Sequence, residues 1–164
     1  MIKKIGIIGA GTMGSGIAAA SAINGFETLL YDIYPEAVQK AVSGISKGFQ
    51  KLEEKGKIDA AKRKAAEGNI IQINDLAGLA ECDTIIEAAI ENIDLKKELY
   101  KKLDEVTKPE AILATNTSSF SITSISTAVK NNPGRVAGMH FFNPANIMKL
   151  VEVIKGEFTS DETV

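Results

Sequence analysis

An apolar run broken by three closely spaced glycines opens this chain. Ile5-Gly6-Ile7-Ile8-Gly9-Ala10-Gly11-Thr12-Met13-Gly14 reads as a buried strand, a tight turn and the start of a helix. The G-x-G-x-x-G spacing gives each glycine a separate task. Gly9 permits the turn, Gly11 lets a pyrophosphate approach the backbone, and Gly14 lets helix and strand pack closely. The helix start offers unpaired N–H groups and a positive dipole end to an anion. Alone the fingerprint is weak, but a second signal supports it. Asp32 ends the next apolar segment, Glu27 to Tyr31, and lies 18 residues past Gly14, near the roughly 20 that set an acid against a ribose hydroxyl. Lys3, Lys4 and the run Ala18-Ala19-Ala20-Ser21-Ala22 superficially resemble a secretory leader. No leucine precedes Leu29, however, and glycines interrupt the run. Glu27 closes it well short of the roughly 20 apolar residues of a membrane span. The segment is read as a dinucleotide site.

The chain has 164 residues, 45% hydrophobic and 24% charged, which suits one soluble domain. Its formal net charge of −2 creates no field that would favour nucleic acid or an anionic membrane. The single cysteine, Cys82, excludes an internal disulfide and fits a reducing cytoplasm. It is expected as a small buried residue near the start of a strand.

Apolar strand-like runs alternate with helical patterns, which predicts a doubly wound, mostly parallel α/β sheet of the Rossmann type. Strands are expected at about 3–8, 28–31, 69–73, 84–89, 111–115, 135–139 and 150–154. Helices are expected at about 13–24, from Pro35 to Lys55, from a cap at Asp59 to Ala66, briefly after Asp75, and at about 92–106. Ser160-Asp161-Glu162-Thr163 reads as a capped helix start, so the chain is expected to be part of a longer protein.

A second cluster carries chemistry. His140 is the only histidine, and a lone histidine is as often structural as catalytic. Its expected place, just past an apolar strand, shifts that balance, because ligands of open α/β sheets sit at the carboxyl ends of strands. Asn116, Thr117, Ser118 and Ser119 end another predicted strand. Oxidation of a secondary alcohol by a nicotinamide cofactor needs a base for the hydroxyl proton, and imidazole suits that role near neutral pH. Glu152, on the following strand, could orient the ring, or could be an ordinary strand-end carboxylate.

In order along the chain, Gly9-Ala10-Gly11-Thr12-Met13-Gly14, Glu87-Ala88-Ala89-Ile90-Glu91-Asn92, Asn116-Thr117-Ser118-Ser119, His140-Phe141-Phe142-Asn143-Pro144 and Lys149-Leu150-Val151-Glu152-Val153-Ile154 resemble the L-3-hydroxyacyl-CoA dehydrogenase family. The resemblance is nearest to its bacterial 3-hydroxybutyryl-CoA members and covers essentially the whole chain. It implies reversible NAD-dependent oxidation of an (S)-3-hydroxyacyl-CoA to the 3-ketoacyl-CoA. It implies His140 as general acid/base, Glu152 as its partner, and Ser118 as a hydrogen-bond donor to the substrate oxygen beside the nicotinamide. Asn116 and Asn143 are implied as further polar groups of that pocket, and Glu91 and Lys96 as groups approaching the cofactor. Lys51 and Lys55 lie where the family meets CoA, although two lysines four apart equally describe a solvated basic face. No metal is implied. The family continues into a helical second domain that closes the cleft, adds a catalytic-site asparagine and forms most of a dimer interface. Residues 1–164 are therefore expected to be the NAD-binding domain, able to bind NAD and poor in turnover alone. The whole protein is expected to be a cytoplasmic homodimer or higher homo-oligomer acting on an acyl-CoA thioester, with no nucleic-acid or membrane partner. Asp32, followed by Ile33-Tyr34-Pro35 with no arginine, favours NAD over NADP.

Two other readings stay open. One is a non-catalytic dinucleotide-binding module, a redox sensor or structural protein, as the lens lambda-crystallins resemble this family. The pair His140 and Glu152 argues against it, since binding alone needs no acid/base. The other is a 3-hydroxyisobutyrate-type dehydrogenase, whose acid/base is a lysine in its later domain. His140-Phe141-Phe142-Asn143-Pro144 discriminates against that. Acyl-chain length and physiological direction, fatty-acid degradation or butyrate synthesis, are not set by these residues. Nor do they exclude a larger β-oxidation protein, although Met1 at the first strand favours a stand-alone chain.

Overall fold

The computed structural model describes residues 1–164. Its strands are β1 (Lys4–Ile8), β2 (Glu27–Tyr31), β3 (Ile70–Gln72), β4 (Thr84–Glu87), β5 (Ile112–Thr115), β6 (Val136–Phe141) and β7 (Val151–Ile154). Its helices are α1 (Thr12–Ile23), α2 (Pro35–Glu54), α3 (Ala60–Gly68), α4 (Ile93–Val106) and α5 (Ile122–Ser126). The strands form one sheet in the order β3-β2-β1-β4-β5-β6-β7. Every pairing is parallel except β6 with β7, which is antiparallel. The chain winds outward from β1 to β3, then returns to β4 and winds the other way. The switch between β1 and β4 opens a crevice at their carboxyl ends.

Side-chain alternation divides the core between the two faces of the sheet. Ile7 is in register with Leu30 and Ile86, and Ile86 with Ala114. This face packs against α1, α2 and α3 through Ile17, Ala18, Val38, Ile45, Phe49 and Ala66. Gly6 is in register with Leu29 and Ile85, and Leu113 with Val136. That face packs against α4 and α5 through Tyr100, Leu103, Ile122 and Ile125. Cys82 is fully buried on the second face, as expected, and burial pushes its thiol up to about 11.

Polar caps set several boundaries. Asp59 accepts from Lys62 N at 2.7 Å and starts α3, and Asn92 accepts from the Asp94 and Leu95 amides and starts α4. Asp75 starts a short 3-10 turn at Leu76–Leu79. Ser160 Oγ accepts from Thr163 N at 3.2 Å, the contact a helix cap makes, and residues 161–163 form a turn. No helix is long and apolar enough to cross a membrane.

The structure corrects the expected elements at four points. Helix α5, capped by Ser121, was not anticipated. Helix α3 runs to Gly68 rather than Ala66. Strand β4 stops at Glu87 rather than Ala89, because the Glu87 carboxylate itself takes the Ala89 amide at 2.7 Å and turns the chain. Strand β6 continues through Phe141, so His140 lies inside the strand and not beyond it.

Candidate active site

The turn between β1 and α1 shows why each glycine is there. Gly9 has φ +102°, and a Cβ on it would fall 2.5 Å from Ala88 O. A Cβ on Gly14 would fall 1.7 Å from Gly9 O, so the helix could not approach the turn. Gly11 differs, since a Cβ there meets nothing within 4 Å. The protein's own packing gives no reason for glycine at 11, whereas a group lying against that backbone does. No side chain caps α1, no acid stands in its first turn, and the Thr12 and Met13 amides have no acceptor in the chain. These features fit the phosphates of a dinucleotide. Asp32, at the end of β2, accepts from Ala10 N at 2.7 Å and from Tyr34 N at 3.0 Å. Its carboxylate is thus held beside the turn with lone pairs left for ribose hydroxyls. Thr12 is exposed and Met13 half-buried against the core.

His140 and its partners assemble at the carboxyl ends of β5 and β6. The ring is 21% exposed. Its Nδ1 lies 2.8 Å from Glu152 Oε2, and its Nε2 lies 3.1 Å from Ser118 Oγ. A carboxylate at Nδ1 assigns the proton to that nitrogen and leaves the Nε2 lone pair facing Ser118. Phe142 packs edgewise on the ring, with centroids 5.0 Å apart. Asn116 Oδ1 accepts from Phe141 N at 2.8 Å, so this side chain ties the end of β5 to the His140 strand and has its amide NH2 free.

Beneath this row lies a buried ionic cluster. Lys96 is 2% exposed, and its ammonium sits 2.6 Å from Glu87 Oε1 and 3.1 Å from Glu91 Oε2. It therefore forms the floor of the site rather than an open wall. Glu91 Oε1 accepts from Thr117 Oγ1 at 2.7 Å and from Ser118 N at 2.9 Å. Partial burial opposes its ionisation, but these donors and Lys96 outweigh it and hold the carboxyl below its ordinary range.

Lys51 and Lys55 stand apart from this cluster. They line a groove of about 860 Å³ between α1 and α2 that also includes Gly11, Asn143, Lys40 and Lys57. His140, Ser118 and Glu152 do not line it. Asn143 is exposed and lines this groove. Sequence reasoning missed Glu87, Thr115, Phe142, Lys40 and Lys57 as site residues. For Glu87 a signal existed: one acid closing the run Thr84-Ile85-Ile86, just as Asp32 closes β2.

Comparison with known proteins agrees with this geometry. Residues 4–164 match the family model described as 3-hydroxyacyl-CoA dehydrogenase, NAD binding domain. The chain is 45% identical over 163 residues to a 3-hydroxyadipyl-CoA dehydrogenase of Escherichia coli, covering 99% of this chain and 34% of that protein. It is 46% identical over 160 residues to a probable 3-hydroxybutyryl-CoA dehydrogenase of Deinococcus radiodurans, covering 98% and 57%. It superposes on the crystal structure of a 3-hydroxybutyryl-CoA dehydrogenase from Escherichia coli with TM-score 0.97 at 45% identity, covering 99% and 34%. The chain spans about a third to somewhat over half the length of these relatives. A glycine turn shaped for phosphate, an acid held beside it, and a sequence match along almost its full length together establish that this chain belongs to the 3-hydroxyacyl-CoA dehydrogenase family, as its NAD-binding domain.

Proposed function

We propose that this domain serves the reversible oxidation of an (S)-3-hydroxyacyl-CoA, 3-hydroxybutyryl-CoA in particular, to the 3-ketoacyl-CoA. The observation that carries the reading is the row Ser118, His140 and Glu152, joined at 3.1 and 2.8 Å at the carboxyl end of the sheet. NAD, held by Gly9, Ala10, Gly11, Thr12, Met13, Gly14 and Asp32, supplies the hydride acceptor. In this reading Glu91 and Asn116 would border its nicotinamide end, Lys96 would act from beneath through Glu91, and Asn143 would meet the cofactor from the groove side. Glu152 keeps the imidazole proton on Nδ1, so Nε2 is free to take the proton of the substrate's C3 hydroxyl. Ser118 Oγ, beside Nε2, donates to the same substrate oxygen and fixes it in reach. In the reverse direction the imidazolium, stabilised by Glu152, returns the proton to the carbonyl oxygen. Lys51 and Lys55, with Lys40 and Lys57 along the same groove, supply cations for the CoA phosphates.

The whole protein, in this reading, is a homo-oligomer of the reducing cytoplasm, which the single buried thiol supports. The residues here contain the acid/base but not a closed cleft, so the 164-residue chain binds NAD and turns over poorly by itself. Titration with NADH and NADPH in parallel tests the cofactor half: tight NADH and weak NADPH binding is expected, and binding of neither overturns it. Replacing His140 by Gln in the chain joined to the remaining domain of a relative tests the catalytic half. Loss of turnover with NADH binding kept is expected, and surviving turnover removes His140 from the role.

A further inference from the structure

We propose that Glu87 is a positioning residue of this site: its buried carboxylate holds the turn that sets Ser118 in front of His140. The proposal rests on reading Ser118 and His140 as the groups that meet the substrate. Glu87 ends β4 and is 0% exposed, and its two oxygens serve separate arms. Oε2 accepts from Thr115 Oγ1 at 2.8 Å, and the same hydroxyl oxygen accepts from Thr117 N at 3.2 Å. Oε1 accepts from Lys96 Nζ at 2.6 Å. Lys96 in turn pairs with Glu91, which takes the Thr117 hydroxyl and the Ser118 amide. Both arms converge on Thr117-Ser118, and Ser118 Oγ is the atom opposite His140 Nε2. A third contact, to Ala89 N, holds the loop against which Gly9 packs.

A buried ion pair is a poor device for stability, because desolvation consumes most of its Coulombic gain. Its value lies in direction, since a buried carboxylate with both oxygens engaged favours one arrangement of its donors. An apolar residue at 87 could fill the space but could not hold Thr115 and Lys96 in these orientations. Glu87 does not touch the reacting groups and acts through Thr115, Lys96 and Glu91.

The test uses Glu87→Gln and Thr115→Val, with Thr84→Val as control. Thr84 shares strand β4, and its buried hydroxyl has no partner and no link to either arm. Backbone amide exchange at Ser118 and the ring ¹⁵N shifts of His140, the sole histidine, are read by NMR without cofactor. Both test variants are expected to speed Ser118 exchange about tenfold, the loss of roughly one well-made hydrogen bond, and to move the His140 signals. The control is expected to change neither. Glu87→Gln/Lys96→Met, which removes both buried charges together, covers the case in which Glu87→Gln does not fold. Because Lys96 also pairs with Glu91, Lys96→Met is read beside the double variant: positioning by Glu87 predicts Ser118 and His140 signals displaced further in the double variant than in Lys96→Met, and a merely structural role predicts the same signals in both. Wild-type signals in Thr115→Val and in whichever Glu87 variant folds overturn the proposal. NADH titration of the unmutated chain separates the two readings: absent binding there sinks the proposed function while leaving the Glu87 result intact.

Discussion

Glu152 lies directly opposite His140 in the antiparallel ladder of β6 and β7, so their 2.8 Å contact is a cross-strand pair set by register. Facing residues of such a ladder bring their side chains within reach of each other. A slip of one residue would send Glu152 to the other face of the sheet. His140 and Glu152 are thus joined by the one antiparallel edge in an otherwise parallel sheet.

Glu152→Gln keeps the strand but removes the charge that, in the proposed mechanism, stabilises the imidazolium. In the chain joined to a relative's remaining domain, steady-state turnover is expected to fall about 100-fold or more. NADH affinity, measured by fluorescence titration, is expected to stay within about twofold, less than half a kcal/mol. A fall in affinity matching the fall in turnover would place Glu152 in binding instead.

Gly11→Ala separates ligand approach from folding. The chain has room for the methyl group, and Gly11 sits at φ −73°, which alanine adopts freely. The thermal midpoint is expected to change little, while NADH affinity falls at least about tenfold, a loss of ~1.4 kcal/mol. Gly14→Ala, with its methyl 1.7 Å from Gly9 O, is expected to fail at folding itself. Wild-type NADH affinity in Gly11→Ala would show that no phosphate lies on this backbone.

Asp32→Ala removes the partner of the Ala10 and Tyr34 amides, and with it the proposed ribose acceptor. NADH affinity is expected to drop, and the NADH over NADPH preference to shrink about tenfold or more, because the repelled 2′-phosphate meets no charge. Parallel titrations read both. An unchanged ratio removes Asp32 as the selector.

Asp83 ties the start of β1 to the sheet through the Lys3 and Lys4 amides and Lys108. The Lys108 contact first, then the two amides, hold its carboxyl well below the usual carboxylate range. A depressed carboxyl contributes stability above its unfolded value, and that contribution is lost as pH falls through the folded one. Asp83→Asn is therefore expected to cost about 1–2 kcal/mol at pH 7, allowing for the side chain's partial exposure, and progressively less below about pH 4. Urea unfolding at pH 7 and pH 3 measures this. An equal deficit at both values would mean that the ionised form is not what matters.

Local chemistry made much of this molecule legible in the linear chain. The glycine turn, Asp32 closing β2, the cap Asp59, and the alternation of apolar runs with helical patterns each act within a few residues of sequence. They determined the doubly wound class and the glycine turn, and they carry the NAD preference expected of Asp32. Tertiary structure alone decided how distant segments meet. The extra length of β6, which carries His140 inside the strand, comes from its pairing with β7. The burial of Lys96, which makes it a floor rather than a wall, follows from where α4 lands on β4. The convergence of Glu87, Thr115 and Glu91 on Ser118 needs β4, β5 and the loop after each to be brought together. Such contacts join residues 9 to 28 positions apart and depend on register and packing, quantities that no local pattern encodes.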